Sequence, residues 1–310
     1  MKALAGIVPV IPTPFAEDES IDERSLRAVV DWVARTGLGG MCLPAYASEF
    51  YKLTEAERAR VVAVAIETND GRVPLVAQAN HGSTRIAREL ARTYEGMGAD
   101  LISFALPRQF ATGESDLLRF AGAIADAVSL PVLIQDFNPG GASIGAAFIA
   151  TLHRQHGNVR YVKLEEPLLV DKVVAIRERL GDAVGVLEGW GGYYMLEGIP
   201  AGICGVMPGV AIADLLDAVF RARVAGQGER AYRLFAAALP LIAFGLQNME
   251  LFLHVEKRLL VRRGLLRAAG VRSLTLTSGR HLDDHIDYLS EQIMLVLREE
   301  GCATNCGEGN

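Results

Sequence analysis

Short runs of apolar and β-branched residues recur along the chain and alternate with longer segments that have the period of an amphipathic helix. Eight such runs predict strands, and they contain few charged residues, as is typical of parallel strands that are covered on both faces. The predicted strands are Ile7–Ile11, Gly40–Leu43, Val73–Ala77, Leu101–Ala105, Val132–Gln135, Tyr161–Leu164, Val184–Leu187 and Gly202–Val206.

The segments between these runs carry signals for the beginning and the end of helices. Thr54 is followed three residues later by Glu57, which is the spacing of a capping box at a helix N-terminus. Gly37 and Gly98 each follow a helical pattern, as glycine commonly does at a helix C-terminus. The predicted helices here are one opened by Ser20-Ile21-Asp22-Glu23 and running to Ala34, one from Thr54, one from Arg85 to Met97 and one from Ser115 or Asp116 to Val128.

The order of these elements predicts a (β/α)8 TIM barrel, an α/β fold, over residues 1–210, with the last barrel helix reaching about residue 225. An open, doubly wound sheet is the alternative, but no glycine-rich nucleotide fingerprint follows any predicted strand. A helical extension is predicted for residues 226–300, and a disordered tail for residues 301–310. The helices predicted after the last strand are Ala213–Val224, Gly228–Phe244, Met249–Val261 and His281–Glu299.

Composition narrows the classes of protein further. Half of the 310 residues are hydrophobic, and 31 basic residues are balanced by 37 acidic ones, which argues against a large nucleic-acid interface. No apolar run is long enough for a membrane span, so we expect a cytoplasmic protein. The four cysteines predict neither a disulfide framework nor a zinc site: Cys42, Cys204, Cys302 and Cys306.

Lys163 differs from the other lysines in its surroundings. It lies near the C-terminal end of a predicted interior strand, where barrel enzymes carry their catalytic groups. Burial of an amine favours its neutral form, and a neutral lysine is the nucleophile that Schiff-base chemistry requires. The alternative is an ion pair with Glu165 or Glu166 that only closes the strand. The other four lysines occur in polar or helical surroundings that are typical of exposed amines: Lys2, Lys52, Lys172 and Lys257.

Other predicted strand ends carry residues that can bind a small anion or move a proton. The loop Ala45-Tyr46-Ala47-Ser48-Glu49 can direct backbone N–H groups and the Ser48 hydroxyl at a carboxylate, although Glu49 can equally serve to fix the loop. Gln135 ends the fifth predicted strand and shares a face with Leu133. Substrate contacts are also predicted at two further strand ends, for Gly189 and Met207.

Around Lys163 and Ala45–Glu49 the sequence resembles the dihydrodipicolinate synthase / N-acetylneuraminate lyase superfamily of class I aldolases. The opening Val8-Pro9-Val10-Ile11-Pro12-Thr13-Pro14-Phe15 and the segment Ser48–Thr54 are similar to family motifs, and the similarity extends over nearly the whole chain. The resemblance implies a barrel with three added helices, usually a tetramer, whose lysine forms a Schiff base with a 2-keto acid.

Two departures from the family pattern bear on the substrate. The family commonly has Tyr-Asn-x-Pro after strand five, whereas this chain has Gln135-Asp136-Phe137-Asn138, so the proton-relaying tyrosine is replaced. The arginine that holds the second substrate of the synthases would fall near Gly140, and the interfacial tyrosine region reads Pro107-Arg108-Gln109. The segments Ala45-Tyr46-Ala47-Ser48-Glu49, Ile134-Gln135-Asp136 and Lys163-Leu164-Glu165 are closer to those of the 2-keto-3-deoxy-L-arabonate dehydratases.

These residues together predict a lyase that acts on a small 2-keto acid through an imine on Lys163. The candidates for the base are Glu165, Tyr46 or a water held by Gln135, and Glu165 shares the strand face of Lys163. Neither metal nor cofactor is expected, because the imine is the electron sink. Dehydration of a 2-keto-3-deoxy sugar acid is the first reaction class, and retro-aldol cleavage the second. Synthase-type condensation and a non-catalytic keto-acid-binding barrel are the alternatives. We expect a homotetramer or a dimer.

Overall fold

The computed structural model describes residues 3–108, 112–138 and 143–302. The predicted tail from residue 303, with Cys306, lies outside these ranges, as do Gln109 and Gly140. The strands are β1 Gly6–Ile7, β2 Met41–Leu43, β3 Leu75–Gln78, β4 Leu101–Ala105, β5 Val132–Asp136, β6 Val159–Leu164, β7 Gly185–Glu188 and β8 Gly205–Val206.

All eight strands are parallel, and each pairs with its neighbour in the order β1-β8-β7-β6-β5-β4-β3-β2. The sheet closes between its two ends through a parallel bridge from Val10 to Cys42. There Ile11 N donates to Cys42 O and Cys42 N donates to Pro9 O, both at 2.9 Å. The predicted closed barrel is therefore confirmed. The predicted first strand ran to Ile11, but only Gly6–Ile7 is regular: Pro9 has no N–H to donate, and beyond it Val10 forms isolated bridges to Cys42 and Gly209.

The helices surround the barrel and continue beyond it. They are α1 Glu23–Thr36, α2 Glu55–Asn69, α3 Thr84–Met97, α4 Glu114–Ala125, α5 Ala146–Gln155, α6 Leu169–Leu180, α7 Met195–Ala201, α8 Ala213–Val224, α9 Gly228–Gly245, α10 Met249–Arg262 and α11 Arg280–Glu299. Two short 3₁₀ helices, Tyr46–Ser48 and Phe50–Lys52, follow β2.

Local signals account for several of these boundaries. Thr54 caps α2 through Glu57 N, and the Glu57 carboxylate accepts from Thr54 N at 2.8 Å, which confirms the capping box. Gly37 ends α1 and Gly98 ends α3, both in the left-handed conformation that glycine adopts without strain. The fourth helix begins at Glu114 after Gly113, and it ends at Ala125, three residues before the predicted end.

Two apolar regions fill the molecule. A large one lies between the sheet and the helices, and a smaller one plugs the barrel interior with side chains that include Val8, Val76, Leu101, Leu133 and Leu187. Because strand side chains alternate between faces, the residues two positions after Val76 and Leu133 also point inward. Polar side chains therefore lie above this apolar plug, at the C-terminal ends of the strands.

The helices α9–α11 pack on the barrel through buried charged groups. The Arg263 guanidinium, fully buried, donates to Asp214 Oδ2 at 2.6 Å and stacks on the Trp32 ring at 4.8 Å. Glu256 accepts from Ala211 N at 2.7 Å, just after β8. These contacts fix α10 against the barrel mouth. Among the described residues, no helix is long and apolar enough to cross a membrane.

Candidate active site

Lys163 lies at the C-terminal end of β6 with its amine inside the barrel mouth. Its side chain is 7% exposed, and Nζ lies 2.9 Å from Oε1 of Glu165. Gly189 on the neighbouring strand end gives the lysine its space, because a Cβ there would collide with the side chains of both Lys163 and Glu165. Gly189 N donates to Leu164 O at 2.8 Å, which keeps the two strand ends together.

Glu165 is the carboxyl group closest to this amine. Burial raises its pKa, while the charge of Lys163 and a hydrogen bond from Gln135 act in the opposite direction. Gln135 Nε2 donates to Glu165 Oε2 at 2.7 Å, so each carboxyl oxygen has one polar partner. A carboxyl group beside an amine is placed to exchange a proton with it.

Gln135 is itself held by a residue two strands away in the sheet. Gln78, the last residue of β3, donates from Nε2 to Gln135 Oε1. Both amides are buried, and both follow inward-facing apolar residues by two positions. A continuous chain of hydrogen bonds therefore runs from Gln78 through Gln135 to Glu165 and Lys163. Sequence reasoning missed Gln78, although its place at a strand end, in register with Ser103, was a usable signal.

The loop after β2 brings a turn of backbone to the same opening. Tyr46 and Ala47 line the cavity. They lie in the first turn of a 3₁₀ helix, and neither backbone N–H has an acceptor among the described residues. Unsatisfied N–H groups at a helix start favour an anion. The Tyr46 ring lies 4.8 Å from Phe137 and 5.0 Å from Phe50, and burial followed by the Glu165 charge raises the pKa of its phenol.

Ser48 and Glu49, both predicted to contact substrate, do not line the cavity. The Ser48 hydroxyl donates to Ile11 O at 2.5 Å and accepts from Ala45 N at 3.0 Å, so its proton is already used within the protein. The Glu49 carboxylate is buried against Lys257, and its other oxygen accepts from Arg272 N at 3.1 Å. This geometry does not support direct substrate contact, and it corresponds to the loop-fixing role instead.

The prediction that Lys257 is an exposed amine is wrong, because its side chain is completely buried. It donates to Glu49 Oε1 and, at 2.8 Å, to Gly270 O, and its ammonium group lies 4.5 Å from the centre of the Phe15 ring. Burial lowers its pKa to about 8. Lys52 is also nearly buried, between Glu49 and Glu250. The polar surroundings in sequence did not indicate that both lysines join distant segments.

These groups surround a cavity at the barrel mouth. Of the predicted site residues, the cavity is lined by Tyr46, Ala47, Gln135, Lys163, Glu165, Gly189 and Met207. The opposite wall is apolar and aromatic, and it includes Phe137, Trp190, Leu246, Met249 and Phe252. The last three come from the turn after α9 and from α10, and no motif in the sequence indicated them.

Two further polar residues near the strand ends, His81 and Asp136, take structural roles. His81 Nδ1 accepts from Ser83 N at 2.8 Å and so fixes the loop after β3. Asp136 holds Arg108 through two hydrogen bonds, at 2.8 and 2.7 Å, and accepts from Ile144 N at 2.6 Å. Within residues 3–108, 112–138 and 143–302 there is no group of three or more His, Cys, Asp or Glu side chains that could hold a metal ion.

Comparison with known proteins agrees with this architecture. The model of the dihydrodipicolinate synthetase family matches residues 3–279. The chain belongs to this family. It is 30% identical over 270 residues to an L-2-keto-3-deoxyarabonate dehydratase of Azospirillum brasilense, covering 86% of this chain and 85% of that protein.

Two further relatives describe the range of the family. Over 159 residues the chain is 29% identical to a putative 2-dehydro-3-deoxy-D-gluconate aldolase of Escherichia coli, covering about half of each protein. The crystal structure of dihydrodipicolinate synthase from Rhodopseudomonas palustris superposes with a TM-score of 0.87 at 25% identity, over 93% of this chain and 97% of that one. Family membership makes this protein a lyase of the aldolase and dehydratase type.

Proposed function

We propose that the protein is a Schiff-base-forming dehydratase that acts on a 2-keto-3-deoxy sugar acid. The observation that carries this proposal is the buried amine of Lys163 at the base of the cavity, 2.9 Å from the Glu165 carboxyl group. An amine next to a proton acceptor can lose its proton and attack the C2 carbonyl of a keto acid. Expulsion of the carbonyl oxygen as water then leaves a protonated imine on Nζ.

The substrate carboxylate has one suitable place in the described cavity lining. The backbone N–H groups of Tyr46 and Ala47 belong to cavity-lining residues and have no acceptor among the described residues, so we place the C1 carboxylate there, with C2 towards Lys163. Ser48 and Glu49 support this turn from behind: Ser48 through Ile11 and Ala45, Glu49 through Lys257. Their contribution is positional.

Glu165 is the proposed base for the next step. The protonated imine acidifies C3, Glu165 takes a C3 proton, and the electron pair of that C–H bond forms the enamine double bond. Glu165 then returns the proton to the C4 hydroxyl, which leaves as water. The unsaturated imine is hydrolysed to release a deoxygenated keto acid and the free lysine. The imine supplies the electron sink, so this route requires neither a metal nor a further cofactor.

Two observations favour a sugar-acid dehydratase over synthase-type condensation. The dehydratase of A. brasilense matches this chain over most of both lengths. Gln135 lies at the β5 end where the synthases commonly carry a tyrosine, and it forms one hydrogen-bonded unit with Glu165 and the amine of Lys163. A carboxyl group beside the imine suits abstraction of a C3 proton.

Reductive trapping tests the covalent step. Borohydride added with pyruvate or with a 2-keto-3-deoxy acid should give a stable adduct, and peptide mass mapping should place it on Lys163. The Lys163→Ala variant should form no adduct and lose at least about 10³-fold in activity while keeping its thermal midpoint, because the nucleophile itself is removed. Lys172→Ala, at a half-buried surface pair, is the matched control and should trap normally.

The products then distinguish the reaction classes. Incubation with a panel of 2-keto-3-deoxy acids should yield a deoxygenated keto acid, and release of pyruvate would instead indicate retro-aldol cleavage. Absence of an adduct on wild-type Lys163 with every keto acid would contradict the whole proposal and leave a non-catalytic binding barrel. Activity that survives in Lys163→Ala would place the nucleophile elsewhere.

We also propose a homotetramer, or a dimer, in the cytoplasm, with small keto acids rather than nucleic acids or membranes as partners. The family resemblance supports the assembly, and the acidic net charge of −6 is consistent with the choice of partner. Light scattering coupled to size-exclusion chromatography measures the assembly directly, and a monomer at micromolar concentration would contradict this expectation.

A further inference from the structure

Gln78 is buried at the floor of the site without the partners that a buried amide normally has. Its side chain makes one described hydrogen bond, from Nε2 to Gln135, and its Oε1 has no partner among the described residues. An unpaired buried amide oxygen destabilises the fold. If this position served packing alone, an apolar side chain would give a more stable protein than glutamine. The unpaired oxygen therefore needs an explanation.

The directions of the hydrogen bonds provide one. Gln135 presents its NH₂ group to Glu165 and its carbonyl to Gln78, which suits an ionised Glu165 that can only accept. Once Glu165 is protonated on Oε2, that oxygen becomes a donor and faces a second donor. Rotation of the Gln135 amide by half a turn restores the bond but directs its NH₂ group at Gln78.

Gln78 can accommodate this change only if its own amide rotates too. Its Oε1, unpaired in the present arrangement, would then accept from Gln135 Nε2. The terminal torsion of a glutamine is broad and nearly two-fold, so both amides can rotate without a change of backbone. Oε1 of Glu165 faces the Lys163 nitrogen, a donor in the protonated imine, which leaves Oε2 as the oxygen that takes up a proton.

We propose that Gln78 and Gln135 form an amide relay that follows the proton on Glu165, and that Gln78 is a positioning residue for the proton-transfer step. This inference rests on the proposed function. When the C3–H bond breaks, its electron pair forms the enamine and its proton forms the O–H bond on Glu165. Both amides turn as this proton arrives and turn back as it leaves. The rotations transfer no proton themselves.

Other titratable groups face Glu165 and must stay unchanged in any test. They come from five surrounding elements: Lys163 on β6, Asp136 on β5, Glu188 on β7, Cys42 on β2 and Tyr46 in the 3₁₀ turn. Gln78→Met leaves all of them in place and adds no charge, whereas Gln78→Glu adds one carboxyl group to the set. Pyruvate is a suitable probe, because exchange of its methyl protons with D₂O requires the imine and the base but not the full substrate.

The test compares Gln78→Met, Gln78→Glu and wild type for deuterium exchange into pyruvate, measured by proton NMR between about pH 5 and pH 9. Gln78→Met should slow exchange by about tenfold, because Gln135 lacks a partner in both orientations, while borohydride trapping on Lys163 stays normal. Gln78→Glu offers only an acceptor when ionised, so it holds the Gln135 carbonyl towards Glu165. That orientation favours protonated Glu165, so the acidic limb of the variant's pH profile for exchange should move upward by about one pH unit.

Ser103→Ala is the matched control. Ser103 lies beside Gln78 in register, it is equally buried, and its hydroxyl also has no described partner, but it makes no bond to Gln135. Its exchange rate and pH profile should equal those of wild type. Profiles of both Gln78 variants that superpose on wild type would overturn the relay, as would trapping that declines in parallel with exchange. Failure of wild type to trap pyruvate would instead overturn the proposed function.

Discussion

Glu188, the last residue of β7, is a completely buried carboxyl group behind the catalytic strand ends. Its Oε1 accepts from Trp190 N at 3.0 Å, and its Oε2 has no partner among the described residues. Burial raises its pKa to about 8, which the backbone N–H groups of Tyr194 and Trp190 only partly offset. Glu165 and Glu256 are shifted in the same direction by burial.

These raised values determine how stability should vary with pH. A carboxyl group that holds its proton more tightly in the folded than in the unfolded state contributes most at low pH. Its contribution is lost as the pH rises from the unfolded pKa through the folded one. For Glu188 this interval extends from about 4.5 to about 8. Unfolding at neutral pH is therefore expected to be easier than at mildly acidic pH.

Glu188→Gln should abolish the loss of stability that accompanies ionisation of Glu188 as the pH rises. The variant keeps an oxygen for Trp190 N and never ionises, so its thermal midpoint should exceed that of wild type by about 2 °C or more at pH 8. The two proteins should differ little near pH 5, where Glu188 is protonated. Glu197→Gln, on exposed α7 surface, is the control and should leave the pH dependence unchanged. A constant difference between Glu188→Gln and wild type across this range would show that Glu188 does not titrate.

At the scale of elements, the loop after β2 and helix α10 form one unit through a pair of residues far apart in sequence. Lys257 and Glu49 are both completely buried, and they form an ion pair with each other. Glu49 has a φ of 59°, a left-handed conformation that a residue other than glycine adopts at a cost. The carboxylate contacts to Lys257, Lys52 and Arg272 N hold it there.

Lys257→Met should disturb the turn at Tyr46–Ser48, where we place the substrate carboxylate, although Lys257 lies outside that turn. Loss of the partner leaves the Glu49 carboxylate poorly compensated, so unfolding in urea should become easier by about 3 kcal/mol. The KM for the keto acid should rise about tenfold with little change in kcat, since a looser turn binds the carboxylate less well. The double variant Glu49→Met, Lys257→Met should recover much of the stability, because no buried charge remains. A double variant no better than the single one would contradict this account.

The same elements show which features the sequence could predict. The helices α8 to α11 begin and end within one residue of their predicted bounds, because strong periodic patterns and short connections define them. Lys163, Glu165 and Gln135 could be placed together because a strand period of two assigns their faces. Ser48 and Glu49 lie in a turn without such a period. Their orientation depends on Ile11 and on Lys257, which is 208 residues away in sequence.

At the scale of the whole molecule, the barrel and helices α9–α11 meet at the candidate active site. Leu246, Met249 and Phe252 close one wall of the cavity, so the proposed site is incomplete without the extension. Arg263 is buried between Asp214 and Trp32, which is on the first barrel helix. The boundary predicted near residue 226 therefore separates segments of sequence that share one core.

This shared core predicts a single cooperative unfolding transition. The two tryptophans lie where the barrel meets the extension. Trp32, on α1, contacts Arg263, which follows α10, and Trp190 lines the cavity. Urea curves from tryptophan fluorescence and from far-ultraviolet circular dichroism should coincide, as they do when no intermediate is populated. Arg263→Met should lower the free energy of unfolding by about 3 kcal/mol and move both curves to lower urea concentrations, because it leaves Asp214 without its buried partner. Fluorescence and circular-dichroism curves that do not coincide would instead show that the extension and the barrel unfold in separate steps.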